Sequence, residues 1–240
     1  MAGVQKAGTT VLDAYLRHHP AIQMPMKAKE LHYFDNEQIF AKGGDGAFYH
    51  RQFPAPIPGY LRGEVTPIYS YWYDAPRRIW HYNPAMKIIL CLRNPIERAY
   101  SHWAMERARG MESLDFLPAV KQEQQRCREA LPLQHRVYSY LDRGYYSEQI
   151  RRLWHFYPPE QTLILRHETL RDQPKATLNR LFDFLGIAAL PYVEPQTRHQ
   201  GKYHRSMTAE EKGFLINVFK PEIIRLESML GWNCADWLVE

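Results

Sequence analysis

Apolar runs alternate along this chain with segments of helical periodicity. MKIILCLR at 86–93 is apolar at almost every position, and TLILRHE at 162–168 carries a similar run. Strands that are apolar on both faces are typical of a parallel sheet covered by helices. YLRGEV at 60–65 predicts a further strand, and a first strand should run into Gly3. That first strand is either short or trimmed at its front.

The segments between these runs predict helices. Residues 11–20 place apolar side chains on one face and end at a proline. Asn94 and Pro95 form a helix start, with asparagine as N-cap and proline at the first helical position. A helix from Pro174 should stop at Gly186, and a last one should cover about 208–229 and end near Gly231.

This alternation of strands and helices predicts an α/β protein with a central parallel sheet. A chain of 240 residues is long enough for one sizeable core, so we expect a single domain over residues 1–240. The Gly- and Pro-rich stretch 41–59 is expected to form a loop over the site, because no second core is evident there.

Composition adds few constraints. The net charge of +5 fits either an anionic partner or a generally basic surface. The three cysteines are far apart and form no CxxC pair, which favours a reducing cytosol over a disulfide framework or a zinc site. No run of about 18 apolar residues predicts a membrane span, and the N-terminus lacks the apolar region of a signal peptide. We therefore expect a cytoplasmic protein.

The stretch GVQKAGTT at 3–10 has the glycine spacing of a phosphate-binding loop. Its backbone N–H groups, the hydroxyls of Thr9 and Thr10, and the N-terminus of the following helix can converge on an anion. The alternative is a plain strand–helix turn with capping threonines. A magnesium-dependent NTPase loop needs lysine after the second glycine, whereas here the lysine is Lys6.

A second group of residues also suits an anion. The strand at 86–93 ends in Arg93, and Ser101 lies two turns into the next helix. Arginine can bind a phosphate through two charge-assisted hydrogen bonds, and serine can add one more. The alternative is that Arg93 pairs with Glu97 and that Ser101 is an ordinary surface residue. Two anion sites at strand ends suit a nucleotide with 5′- and 3′-phosphates.

These motifs resemble those of a known family. VQKAGTT is similar to the 5′-phosphosulfate loop of sulfotransferases that use 3′-phosphoadenylyl sulfate (PAPS), and LRNPIERAYSHW resembles their 3′-phosphate motif. KELHYFD at 29–35, GEVTPIYSY at 63–71 and QGKYH at 200–204 resemble the Golgi heparan-sulfate sulfotransferase branch and its bacterial relatives. The resemblance implies a P-loop-like, three-layer α/β fold with a central parallel sheet flanked by helices.

The resemblance also implies how PAPS is held, without a metal. Lys6 stabilises the leaving phosphate as charge builds on it during in-line transfer. The resemblance also implies that the 5′-phosphate is held by Ala7, Gly8, Thr9 and Thr10. It implies that the 3′-phosphate is held by Arg93 and Ser101. A basic loop would cover the nucleotide, and its residues are Gly201, Lys202, Tyr203 and His204.

The acceptor hydroxyl needs a base. Glu30 matches the glutamate assigned as general base in the heparan-sulfate enzymes, and His32 would point the same way if this segment is extended. Either residue can be the base, and Asp35 can orient one of them. The further candidates for contact with the acceptor are Tyr33, Phe34, Glu64, Thr66, Arg143, Tyr145 and Tyr146.

The predicted function is sulfuryl transfer from PAPS to a hydroxyl of a small-molecule, carrier-bound or saccharide acceptor. Two alternatives remain: a P-loop kinase or NTPase, and an inactive nucleotide-binding relative. The joint presence of Lys6, Glu30, Arg93 and Ser101 argues against the inactive relative. No nucleic acid or membrane span is expected. The acceptor and the oligomeric state stay open.

Overall fold

The computed structural model of the chain describes residues 1–191 and 205–239. Contacts group these residues into two compact units. The first comprises Met1–Leu92 and the described part of Leu153–His199; the second comprises Arg93–Arg152 and the described part of Gln200–Glu240. The expected single domain over residues 1–240 stays a prediction.

Helices make up most of the regular structure of the described chain, and short strands lie between groups of them. The helices are α1 Thr9–His18, α2 Glu37–Ala41, α3 Gly46–His50, α4 Ala75–Tyr82, α5 Pro95–Ala108, α6 Phe116–Glu129, α7 Tyr146–Phe156, α8 His167–Asp172, α9 Pro174–Leu185 and α10 Ala209–Leu230. The strands are β1 Ile22–Gln23, β2 Leu61–Arg62, β3 Ile88–Leu92 and β4 Thr162–Arg166.

The parallel sheet predicted from the apolar runs is present in the first unit. β3 pairs in parallel with β4 over all five residues, from Ile88 opposite Thr162 to Leu92 opposite Arg166. Gly3 forms a further parallel bridge with Leu90, so the chain entering the N-terminal loop lies beside β3. β1 and β2 form a second, two-residue parallel pair. The α/β fold class is confirmed.

Helices α1 and α9 pack their apolar faces on this sheet. Leu12 and Leu16 of α1 join Cys91 of β3, Leu165 of β4 and Leu178 of α9 in one buried core. Burying an aliphatic side chain of this size is worth roughly 1.5–3 kcal/mol. The core therefore fixes α1, and with it the loop that precedes α1, against the ends of β3 and β4.

Three element boundaries differ from the prediction. The strand expected over 60–65 is only the two residues of β2, and the strand expected over 162–168 ends at Arg166 and continues as α8. The loop expected over 41–59 contains α3, because the Asp45 carboxylate accepts a hydrogen bond from the Phe48 N–H at 2.8 Å and caps a short helix. Each difference lies where the apolar pattern is weak.

Helices α5 and α10 organise the second unit. Asn94 caps α5 as predicted, its side-chain oxygen accepting from the Ile96 N–H at 2.9 Å. Thr208 and Glu211 form a capping box that starts α10, and Gly231 ends that helix at φ 66°. Within residues 1–191 and 205–239, no helix has both the length and the apolar character that crossing a membrane requires.

Candidate active site

The predicted anion loop is formed at the start of α1. Gly8 is the N-cap of α1 with φ 81°, and Lys6 also has a positive φ, of 70°. A Cβ at Gly8 would lie 2.8 Å from Nδ1 of His167, so this position requires glycine for space as well as conformation. The first N–H groups of an α-helix lack the carbonyl partner four residues earlier that the rest of the helix uses, so the start of α1 suits an anion.

Lys29 connects this loop with the candidate base. Its Nζ lies 3.0 Å from Oγ1 of Thr10, 3.4 Å from Oγ1 of Thr9 and 3.1 Å from Oε1 of Glu30. The loop and the KELHYFD segment therefore meet within the first unit. Sequence reasoning missed Lys29, and the only signal for it was a lysine directly before the candidate base.

Glu30, His32 and Asp35 form a chain of polar contacts. Nε2 of His32 lies 3.4 Å from Oε2 of Glu30, and its Nδ1 lies 3.0 Å from Oδ2 of Asp35, whose side chain is fully buried. The condition of an extended backbone is not met at His32, which has φ 49° in the left-handed region. The side chains of Glu30 and His32 still meet.

The contacts among Glu30, His32 and Asp35 give Glu30 and His32 different protonation states. Partial burial pushes the pKa of Glu30 upward, but the pairing with His32 and the charge of Lys29 outweigh it, so the pKa lies below its ordinary value. The hydrogen bond to Asp35, followed by the pairing with Glu30, raises the pKa of His32 to about 9. At neutral pH Glu30 is ionised and His32 is a cation.

Glu64 and Thr66 are buried beneath this segment. The Thr66 hydroxyl donates to Oε2 of Glu64 at 2.6 Å and accepts from the Leu31 N–H at 3.0 Å. The Tyr49 and Tyr69 hydroxyls also donate to the Glu64 carboxylate, at 2.9 and 3.1 Å. In this arrangement Glu64 and Thr66 hold the backbone next to Glu30, and their predicted contact with an acceptor stays a prediction.

The aromatic candidates lie mostly in packed positions. Tyr33 and Phe34 are 4% and 1% exposed and belong to a ring cluster that includes Tyr49. In the second unit, Arg143 and Tyr146 are buried, with 3% and 0% exposure. Their contact with a substrate stays a prediction.

Tyr145 packs against Phe219 in the second unit, with ring centroids 5.7 Å apart, and is half-buried. Among the aromatic candidates it keeps an accessible edge. Its contact with an acceptor, like those of Tyr33 and Phe34, stays a prediction.

Arg93 and Ser101 belong to the second unit, whereas Lys6 and Glu30 belong to the first. The Arg93 guanidinium donates to Oε2 of Glu97 at 2.7 Å, as the alternative interpretation anticipated. Ser101 lies on α5 with 3% exposure and is therefore not an ordinary surface residue. The predicted nucleotide loop, Gly201 to His204, lies outside the described residues.

Metal-ligating side chains are not clustered in the described ranges. No group of three or more histidine, cysteine, aspartate or glutamate residues there could hold a metal ion. The site is built from lysine, hydroxyl, carboxylate and imidazole groups. Such a set can bind an anionic donor and remove a proton from an acceptor.

A family model described as the sulfotransferase domain matches residues 1–204. The chain belongs to the sulfotransferase family. The match includes both predicted phosphate motifs and the KELHYFD segment, and it confirms the family prediction. It does not favour the kinase or NTPase alternative.

Curated relatives of this sulfotransferase include enzymes named for heparan sulfate. It is 30% identical over 274 aligned residues to the human bifunctional heparan sulfate N-deacetylase/N-sulfotransferase 2, covering 100% of this chain and 30% of the relative. It is 30% identical over 189 residues to the human heparan sulfate glucosamine 3-O-sulfotransferase 6, covering 78% of this chain and 51% of the relative. The chain thus spans 30% of the length of the first relative and 51% of the length of the second.

Solved structures of sulfotransferases share its fold. A sulfotransferase from Alicyclobacillus acidocaldarius superimposes with a TM-score of 0.84 at 25% identity, covering 99% of this chain and 96% of that chain. The sulfotransferase domain from the curacin biosynthetic pathway superimposes with a TM-score of 0.51 at 17% identity, covering 80% and 76%. The first agreement extends over nearly the full length of both chains, and the second concerns the fold alone.

Proposed function

We propose that this sulfotransferase moves a sulfuryl group from PAPS to a hydroxyl group by in-line transfer, with Lys6 and Glu30 as its catalytic residues. The observation that carries the proposal is the contact between the anion loop and the base segment. Lys29 lies within hydrogen-bond distance of both the Thr10 hydroxyl and the Glu30 carboxylate. An anion at the loop and a proton acceptor beside it are the two requirements of sulfuryl transfer.

The loop residues fit a phosphosulfate donor. When bound, PAPS supplies a sulfuryl group attached to a phosphate leaving group. The glycine N-cap, the hydroxyls of Thr9 and Thr10, and the positive end of α1 suit the 5′-phosphate. Lys6 lies in the same loop, where its ammonium stabilises negative charge on the leaving phosphate.

Glu30 is the better of the two candidate bases. Its pKa lies below the ordinary value, so the carboxylate is ionised and ready to take the acceptor's proton. His32, with a pKa of about 9, already carries its proton at neutral pH and would have to lose it before it could act as a base. Its role is to orient the Glu30 carboxylate, while Asp35 holds the imidazole from the other side.

The family resemblance assigns the 3′-phosphate to Arg93 and Ser101 and the covering loop to Gly201, Lys202, Tyr203 and His204. We extend the proposal to these residues and to a single functional domain over residues 1–240. The acceptor class is a hydroxyl on a saccharide, a carrier-bound chain or a small molecule. The heparan sulfate named for the relatives makes a saccharide the first acceptor to test.

A ligand-stabilisation experiment tests the donor. Thermal unfolding is followed with PAPS, with the product 3′-phosphoadenosine 5′-phosphate (PAP), with AMP, and with ATP and magnesium. A specific ligand raises stability by RT ln(1 + [L]/Kd), so a 100-fold excess over Kd gives about 2.7 kcal/mol. We expect PAPS and PAP to raise the melting temperature. Stabilisation by ATP with magnesium but not by PAP would refute the proposal.

Replacing Glu97 with glutamine is expected to strengthen PAP binding. The Glu97 carboxylate holds the Arg93 guanidinium and competes with a phosphate for it. The carboxylate is 55% exposed, and such ion pairs are worth about 0.2–1 kcal/mol, so we expect roughly a 1.5- to 5-fold lower Kd at low salt. Calorimetry checks this, with the exposed Glu210→Gln as control. An unchanged Kd for Glu97→Gln at low salt contradicts a phosphate contact of Arg93.

The pH profile is expected to depend on Asp35. His32 is protonated below about pH 9, so kcat/KM should fall as the pH rises through that value. The hydrogen bond to Asp35 is the largest cause of the raised pKa, and Asp35→Asn should therefore move this alkaline limb down toward pH 6.5. Initial rates from pH 5 to 10 measure the limb. If the alkaline limb of the kcat/KM profile lies at the same pH in the wild type and in Asp35→Asn, His32 is not the group whose titration causes it.

A further inference from the structure

Lys29 is a cation shared between two parts of the site. An ammonium group has three N–H donors and no acceptor. Lys29 has three oxygen partners within hydrogen-bond distance: the Thr9 and Thr10 hydroxyls on one side and the Glu30 carboxylate on the other. Of these, only Glu30 is charged, so it is the partner that an incoming anion would compete with.

The position of Lys29 makes that competition direct. Thr9 and Thr10 are the residues that hold the 5′-phosphate in the proposed function, so a bound donor places its negative charge beside the same ammonium. The Lys29 side chain is 24% exposed and that of Glu30 is 36% exposed, so their ion pair is partly screened by water. A multiply charged donor within the loop offers a stronger partner than one half-exposed carboxylate.

We propose that Lys29 exchanges partners when the donor binds, leaving Glu30 for the phosphosulfate and so freeing the base for the acceptor. The inference rests on the proposed function and adds an order of events to it. Without the donor, Oε1 of Glu30 is occupied by Lys29 and Oε2 faces His32. With the donor bound, Oε1 is open to accept the hydroxyl proton, and the ammonium lies between the base and the sulfuryl donor.

The exchange also sets the order of binding, because Glu30 becomes available to the acceptor only after the donor has bound. A base that is occupied until the donor arrives does not hold an acceptor productively beforehand. The charged groups around Glu30 are Lys29 on the loop side and His32 with Asp35 on the other. Because His32 keeps its contact in both states, the Glu30 carboxylate stays oriented while Lys29 moves.

A double-mutant cycle on donor affinity tests the exchange without knowledge of the acceptor. Calorimetric Kd values for PAPS and PAP are compared at pH 7 and fixed salt for the wild type, Lys29→Met, Glu30→Gln and the double variant. We expect Lys29→Met to weaken binding about 10-fold, as loss of one charge-assisted contact does. Glu30→Gln should tighten binding about 5-fold when Lys29 is present, because the ammonium then belongs to the donor alone.

The decisive comparison is the effect of Glu30→Gln in the absence of Lys29. In the Lys29→Met background we expect it to change Kd by less than about twofold, so that the two substitutions are coupled. If Glu30→Gln tightens binding equally with and without Lys29, the carboxylate merely repels the donor and the exchange is refuted. An unchanged Kd for Lys29→Met also refutes it.

Control variants distinguish the proposed exchange from a general effect of removing a positive charge. Lys27 is exposed and two residues upstream, so Lys27→Met removes the same charge from the same segment and should leave Kd unchanged. Lys29→Arg keeps a cation and should retain the coupling. If Lys29→Met fails to fold, Lys29→Gln takes its place in the cycle with the same expectation.

Failure of the proposed function would be recognised separately in the wild type. If the wild-type chain binds PAPS and PAP no more tightly than AMP, the donor assignment itself fails before any variant is compared. If the wild type binds PAPS tightly and the cycle shows no coupling, the donor assignment stands and only the role of Lys29 is wrong.

Discussion

Glu30→Gln is expected to lower kcat by about 10²- to 10⁴-fold, the range that a positioned general base contributes. Glutamine keeps the size of the side chain, but it has one acceptor oxygen in place of the two that face Lys29 and His32, and it cannot accept the proton of the acceptor hydroxyl. The loss should therefore appear in turnover, while donor affinity stays the same or increases. The measurement is PAP released from PAPS in the presence of a saccharide acceptor, with single-turnover rates to isolate the transfer step.

The control for this substitution is Glu160→Gln, which removes one carboxylate from an exposed position far along the sequence. It should leave kcat unchanged. Full activity of Glu30→Gln would contradict its role as base and transfer that role to His32, the other candidate in the same chain of contacts. In that case His32→Gln should abolish turnover.

Lys6→Ala is expected to lower kcat by about 10²- to 10³-fold, the cost of removing one group aimed at developing charge. PAP affinity should change far less, since Lys6 acts most strongly when charge builds on the leaving oxygen. Lys6 has φ 70°. Lysine and alanine both carry a Cβ, so the backbone strain at this position is the same in the wild type and in Lys6→Ala.

Two comparisons make the Lys6 result specific. Lys42→Ala removes an exposed lysine at the end of α2 and should have no effect on turnover. Arg93→Ala should have the opposite effect: PAP affinity should fall strongly, and the rate of the transfer step should change less. If Lys6→Ala loses affinity in proportion to kcat, Lys6 is a ground-state ligand and the leaving-group role is wrong.

Much of the fold follows from local patterns. The apolar run of β3, the Asn94–Pro95 start of α5 and the glycine end of α9 at Gly186 are each encoded within a few residues. Apolar patterning, capping and positive φ depend on neighbouring positions, so the sequence expresses them directly. The same is true of the Gly8 N-cap, where the anion loop meets α1.

The candidate site depends on contacts that no local pattern encodes. KELHYFD has neither helical nor strand periodicity, and nothing in the sequence indicated the positive φ of His32. The hydroxyl of Thr66 holds the Leu31 N–H from 35 residues away. Burial of Glu64 among Tyr49, Tyr69 and Thr66 is likewise a result of packing.

The sequence by itself therefore determined the α/β class and named the loop at 3–10 and the residues Lys6, Glu30, Arg93 and Ser101 as candidates for the site. Only the tertiary structure decided that Lys29 joins Thr10 to Glu30, and that His32 is a cation held by Asp35. The physical reason is distance along the chain. Periodicity and capping act within one or two turns, whereas the charge of a site residue is set by groups that folding brings to it from elsewhere.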